Sequence, residues 1–240
     1  FIGEADVIFC MDFNQINRLD RVTDTVTANT TAVRVLIDHH LHPPVDGYAV
    51  QFSDTHACST SYIVYQLLEA LAGTDAIDQA MAESLYVGIM IDTGNFSFSS
   101  LTSDLFRAVA VLIDKGVNVP YVNSSVYNNF SEGRMRLLGY MLNDKMVTDY
   151  EFGVAYVSLT EEEMRRFDFI QGDSEGFVNY PLSIRGIRMS AMFIQTKHSI
   201  RVSLRSRGEV DVNVFARRYF DGGGHRNAAG GKSYVPMNET

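Results

Sequence analysis

Along the first half of the chain, short apolar runs rich in branched residues alternate with longer stretches whose apolar positions recur every three to four residues. The runs at residues 5–11, 34–37 and 48–52 predict strands, and the stretches at 59–72, 78–89 and 104–115 predict helices. This alternation predicts an α/β layer fold around a mostly parallel sheet. Residues 123–145 keep helical spacing with few strand signals, which predicts a helical linker. After Tyr150 the pattern changes to a strand at 152–158, a helix at 160–167, two strands around 188–195 and 200–206, and a short helix at 212–220. Thr160 and Glu163 are spaced as a capping box for the first of these helices. The expected organisation is an α/β domain at 1–122, a helical linker at 123–149 and a smaller α+β domain at 150–240.

Composition adds little to this except through charge. Apolar residues are 46% and charged residues 20% of the chain, ordinary values for a folded protein. No apolar run approaches the roughly 18 residues of a membrane span, so no membrane segment is expected. The two cysteines, Cys10 and Cys58, are too few for a disulfide framework or a thiolate metal site, and point to a reducing, cytoplasmic setting. The chain opens Phe1-Ile2-Gly3 with neither an initiator Met nor a leader, so upstream residues are expected. Between residues 181 and 232 there are ten Lys/Arg against three Asp/Glu, a local +7 that leaves −16 on the rest of a chain whose net charge is −9. A basic patch on an acidic body suits a small phosphorylated ligand better than long duplex nucleic acid. A solvated basic face that binds nothing gives the same charge distribution.

Three apolar segments end in an acid. The run at 33–37 stops at Asp38-His39-His40, where Pro43 and Pro44 prevent its continuation. The run at 5–11 stops at Asp12, and an apolar segment from Gly88 stops at Asp92, ahead of Thr93-Gly94-Asn95-Phe96. In open α/β sheets the carboxyl ends of strands are where ligands bind. Singly, each aspartate reads better as a cap or turn residue; the three together read as a site. Carboxylates mixed with imidazole, without cysteine, describe a site for a hard or borderline divalent ion such as Mn²⁺ rather than a structural zinc. Two such ions could activate a water and clamp a phosphoryl group. His42, His56 and His198 carry no comparable context.

In the second half, Arg201, Ser203 and Arg205 alternate along a predicted strand, so the period of two puts them on one face. Guanidinium forks suit phosphate, although an ordinary solvent-facing strand would look the same. Gly222-Gly223-Gly224-His225 follows, where glycines let backbone N–H groups approach an anion at what reads as a helix N-terminus. A flexible turn is the alternative.

Read together and in order, Asp12, Asp38-His39-His40, residues 88–96 and Asp221-Gly222-Gly223-Gly224-His225 resemble the motifs of DHH/DHHA1 phosphoesterases, nearest to the stand-alone nanoRNase/pAp phosphatases. Residues 172–181 are similar to the segment that precedes the Arg-bearing strands in that group. The resemblance implies that Asp12 bridges two Mn²⁺ ions, with Mg²⁺ or Co²⁺ as substitutes, and that His39 and Asp92 are ligands. It implies that His40 contacts the scissile phosphate or assists the leaving group with Asp38 supporting it, and that Arg201, Ser203, Arg205, Gly222, Gly223, Gly224 and His225 hold a terminal nucleotide phosphate. The implied activity is 3′–5′ hydrolysis of short oligoribonucleotides and of 3′-phosphoadenosine 5′-phosphate (pAp), by a homodimer. Phosphodiesterase action on linear or cyclic dinucleotides, and a non-catalytic nucleotide sensor, are the alternatives. The family's first motif, a His and an Asp-x-Asp pair, should precede Asp12 and is absent from this sequence.

Overall fold

The computed structural model describes residues 1–97 and 101–237. The chain divides into two compact units, Phe1–Asn128 and Asn129–Thr240.

The first unit runs β1 (Val7–Met11), α1 (Thr23–Ala28), β2 (Val33–Asp38), β3 (Val50–Ser53), α2 (Thr60–Ala72), α3 (Gln79–Asp92), α4 (Ser103–Asp114) and α5 (Val119–Tyr127). The strands pair in parallel in the order β1-β2-β3, with Cys10 opposite Leu36 and Ile37 opposite Phe52. Val35, Leu36, Ile37 and Asp38 are all buried, so the central strand is covered on both faces and reads as a continuous apolar run. Ile63 of α2 packs on Val35 and Ile37. Tyr65, Leu85, Tyr86, Ile89, Met90, Leu105, Leu112 and Val122 join α2 to α5 in one core. The helix starts follow from local chemistry: Ser59, Asp78, Thr102 and Asn118 each accept a hydrogen bond from an N–H of the first turn. Each such cap is worth about 0.5–2 kcal/mol.

One expectation is corrected here. The apolar segment ending at Asp92 is not a further strand end: α3 continues through Ile89 to Asp92. Its buried positions Ala82, Leu85, Tyr86, Ile89 and Met90 keep helical spacing to the end, and the Thr93 hydroxyl then closes the last turn by donating to the Ile89 carbonyl at 2.7 Å.

The second unit opens with α6 (Glu132–Tyr140), which runs into a π turn at Met141–Lys145. It continues through β4 (Val147–Asp149), β5 (Val154–Leu159), α7 (Glu161–Arg165), a 3₁₀ turn (Phe177–Ser183), β6 (Met189–Gln195), β7 (Ile200–Ser206), α8 (Val212–Tyr219), β8 (Gly223–His225) and β9 (Ala228–Ser233). The six strands form one sheet in the order β4-β5-β6-β7-β9-β8, in which only β5 and β6 are parallel neighbours. Leu137, Met141, Met164 and Phe177 cover Val157, Leu159, Met192 and Ile194 on one face. Val212, Ala216 and Phe220 pack with Val202, Leu204 and Ala229 on the other. The capping box at Thr160 and Glu163 is present in both directions. Residues 123–149 are shared between the units: α5 lies in the first, whereas α6 contributes Leu137 and Leu138 to the second unit's core.

Candidate functional site

In the first unit the polar residues at the ends of β1, β2 and α3 converge. His39 Nε2 lies 3.6 Å from Asp12 Oδ1 and 3.7 Å from Asp92 Oδ2. One carboxylate oxygen each of Asp12 and Asp92 and a ring nitrogen of His39 all fall within 4.8 Å of one another. Parallel pairing of β1 with β2 brings the first two ends side by side, and the Asp12 N–H extends the ladder by donating to the Ile37 carbonyl at 3.1 Å. Asp12 itself turns the chain with φ 63°, in the left-handed region that aspartate tolerates better than most residues. Thr60, in the first turn of α2, donates its hydroxyl to Asp12 Oδ1 at 2.9 Å. Asn14 donates to the Leu41 carbonyl at 2.7 Å and ties together the loops that follow the two strands.

The two histidines are oriented differently. His39 Nδ1 is 3.3 Å from the Ala57 carbonyl, which can only accept, so this contact places a proton on Nδ1 and turns Nε2 toward the two carboxylates. A nitrogen lone pair facing two carboxylate oxygens at these distances is an arrangement that a divalent cation satisfies, and the donor set is oxygen-rich with one imidazole. The residues present therefore fit a divalent metal. His40 Nδ1 is held at 2.7 Å by Asp38 Oδ1. Asp38 is fully buried, and its Oδ2 has no hydrogen-bond partner among the described residues. A buried carboxylate with one unmatched oxygen is costly for the fold alone. Burial holds the Asp92 carboxyl above its usual pKa, with the Asp12 carboxylate adding to the effect while His39 and His40 oppose it.

Beside this cluster Met11, Asp12, Thr60, Ser61, Gly88, Ile91 and Asp92 line a recess of about 220 Å³. Gly88 makes it possible for α3 to approach α2, because a Cβ there would sit 2.0 Å from Ser61 Oγ.

In the second unit, directly opposed residues of paired strands share a face. The register sets Arg201 opposite Lys232, Ser203 opposite Gly230 and Arg205 opposite Ala228 on β9. Gly230 in turn opposes Gly223, and Ala228 opposes His225. Arg201, Ser203, Arg205 and Lys232 therefore lie on one face, whereas a Cβ at Gly223 would meet Asn213 and Arg217 of α8. Arg201 Nη2 donates to Ser174 Oγ at 2.6 Å, and its Nη1 is 3.6 Å from Glu175 Oε1. Arg205 donates to the Leu204 carbonyl at 2.9 Å. Burial lowers the Arg205 pKa, with Glu175 opposing.

The glycine run is corrected by the structure. Gly222 to His225 does not open a helix: Gly223–His225 is a strand that turns back through Arg226 and Asn227 into β9. The tight packing explains the composition, since a Cβ at Gly222 would lie 2.0 Å from the Gly230 carbonyl and one at Gly224 2.5 Å from the Ala228 carbonyl. Asn213, buried on α8, accepts from the Gly224 N–H at 3.0 Å and from Arg217 Nε at 3.1 Å, and so fixes the run.

Sequence reading missed Thr60, Asn213, Ser174 and Lys232 as parts of these two clusters. Lys232 was legible only as one charge among ten; strand pairing alone sets it against Arg201. Among the described residues no helix is long and apolar enough to cross a membrane.

Comparison with known proteins identifies the family. Residues 1–89 match the DHH family, N-terminal domain, and residues 150–238 match the DHHA1 domain. The chain is 31% identical over 235 residues to the bifunctional oligoribonuclease and PAP phosphatase NrnA of Bacillus subtilis, covering 96% of this chain and 70% of that protein. It is 29% identical to a probable protein of the same description from Streptococcus mutans, covering 83% of this chain and 62% of the relative. A solved exopolyphosphatase-related protein from Bacteroides fragilis is 40% identical, with a TM-score of 0.92 over 99% of this chain and 69% of its own. With both domain signatures in order and the acid and histidine residues gathered at strand and helix ends, the chain belongs to the DHH/DHHA1 family of phosphoesterases.

Proposed function

We propose that the protein is a Mn²⁺-dependent hydrolase of very short nucleotides, a 3′–5′ exonuclease on oligoribonucleotides a few units long and a phosphatase on pAp, working in the cytoplasm. The observation that carries the reading is the convergence of Asp12 and Asp92 on His39 Nε2, beside a His40 oriented by buried Asp38. The relatives described as oligoribonuclease and PAP phosphatase support the substrate class.

In this reading Asp12, His39 and Asp92 would hold the metal, and Thr60 keeps Asp12 in place. When bound, the ions supply positive charge at the phosphoryl oxygens and a water of lowered pKa. Asp38 accepts from His40 Nδ1, which directs the other ring nitrogen outward as a donor to the scissile phosphate or the leaving oxygen. A carboxylate behind an imidazole also stabilises the charged ring during such a transfer. Arg201, Ser203 and Arg205 present two guanidinium groups and a hydroxyl on one strand face, and the Gly222 to His225 run borders it, so this face holds the terminal phosphate of the substrate.

The test is Mn²⁺-dependent hydrolysis of pApA and pAp by the intact protein, with His39→Ala alongside. Turnover abolished by the substitution supports the reading, and the two rates rank the substrates. Tight nucleotide binding with no turnover at any Mn²⁺ concentration would replace it with a sensor.

A further inference from the structure

Arg134 on α6 is a charged residue only 8% exposed, and among the described residues no carboxylate pairs with it. It is held instead by neutral groups. Its Nη1 donates to the Asp173 carbonyl and its Nη2 to the Glu175 carbonyl, the latter at 2.9 Å. The guanidinium lies 4.0 Å from the Phe130 ring centroid and 4.8 Å from that of Phe177. Burying a cation in this way is costly, and a Met or Leu of similar size would fill the space without that cost. What the guanidinium adds is a planar fork that grips two carbonyls at a fixed separation.

The residue between those two carbonyls is Ser174, which is 1% exposed and accepts the 2.6 Å hydrogen bond from Arg201 Nη2. The same turn is closed from its other side, where the Asp173 carboxylate accepts from the Ile170 N–H at 2.9 Å. Glu175, next in sequence, is 74% exposed at its side chain and stands 3.6 Å from Arg201 Nη1. Arg201 thus has one buried neutral partner and one exposed acidic one. Whether its guanidinium is presented to a ligand or drawn toward Glu175 depends on the placement of Ser174.

We propose that Arg134 is a positioning residue for nucleotide binding: by fixing the carbonyls on both sides of Ser174 it sets the hydroxyl that orients Arg201 toward the substrate phosphate. The inference rests on the reading of Arg201 as a phosphate ligand and deepens it. A role in folding alone would lower stability without touching affinity. The positioning role acts through Ser174, so the two residues must be coupled.

The experiment is a double-mutant cycle with Arg134→Lys and Ser174→Ala in the intact protein, reading the Kd for pAp by calorimetry, then KM and kcat with Mn²⁺, and the melting temperature. Each single variant is expected to weaken pAp binding about tenfold and raise KM in step, with kcat within about twofold; the double variant is expected to be no worse than the weaker single by more than about twofold. Independent effects, multiplying to about a hundredfold, overturn the proposal, as does a melting shift with unchanged Kd. Should Arg134→Lys fail to fold, an unchanged Kd in Ser174→Ala overturns it equally, and a tenfold loss there together with lost Arg201→Ala sensitivity supports it. A wild-type protein that binds pAp without turnover removes the hydrolase reading and leaves the Kd cycle decisive, whereas one that does not bind pAp removes Arg201's role and this inference with it.

Discussion

The acidic cluster of the first unit and the basic face of the second solve opposite electrostatic problems. Asp12 and Asp92 turn carboxylates toward the same imidazole nitrogen, and buried Asp38 stands behind the neighbouring ring. Like charges brought this close need a counter-charge, and the cluster is incomplete as chemistry without a cation. Arg201 and Arg205 already have local partners in Ser174, Glu175 and the Leu204 carbonyl. Those contacts hold that face within its own unit. The contrast teaches that one region should respond strongly to metal and the other hardly at all.

The largest expected effect tests the first half of that contrast. His39→Ala removes the one nitrogen common to both carboxylate contacts, and should cut metal-dependent turnover and Mn²⁺ affinity by at least ~100-fold, by the scale of ligand-shell losses. Calorimetry with pAp in the absence of metal should show nearly normal affinity in the same variant; a parallel loss of pAp binding would erase the division of labour. Next comes the basic face. Arg205→Met takes away one charge-assisted contact and should raise KM roughly 10- to 100-fold while kcat changes far less. Steady-state kinetics giving an unchanged KM and a fallen kcat would move Arg205 from binding to chemistry.

A smaller, structural effect separates packing from charge. Gly88→Ala forces a Cβ to within 2.0 Å of Ser61 Oγ, and overpacking of this kind costs about 1–3 kcal/mol. Thermal melting should fall by several degrees, and the metal site should loosen because Asp92 ends the same helix. An unshifted melt with weakened Mn²⁺ binding would mean that the recess, not the helix contact, needs the glycine. The smallest effect concerns Glu163 in the second unit. Burial pushes its carboxyl up, but hydrogen bonds from Lys145, the Thr160 backbone and side chain, and Tyr140 outweigh burial and bring it from 4.5 to about 2. Because the folded-state value is depressed, the stability it contributes is present above pH 4.5 and lost as pH falls toward about 2. Urea titrations across that window should show a shallower pH dependence in Glu163→Gln than in wild type.

Much of both units was legible from periodicity. The parallel strands, the helix starts near residues 59 and 78, and the Thr160–Glu163 capping box follow from local spacing, and each is found within a residue or two of its expected place. The reading failed where local pattern was ambiguous. The apolar run before Asp92 suits a buried strand or a buried helix equally, and only packing of Ile89 and Met90 against the helical core decides it. Gly223 and Gly224 have no side chains to show a period, so their pairing with β9 was invisible.

By itself the sequence determined which chemistry the chain can carry: acids and imidazoles at the ends of apolar runs, guanidiniums at alternate positions, and the order in which they occur. These depend on residue type and short-range spacing, which a chain displays before it folds. The tertiary structure alone decided that Thr60 reaches Asp12, that Lys232 stands opposite Arg201, that Asn213 secures the glycine strand, and that Arg134 grips both sides of Ser174. Each of these joins residues distant in sequence through strand register or helix packing, and no local rule encodes which distant partner a side chain will meet.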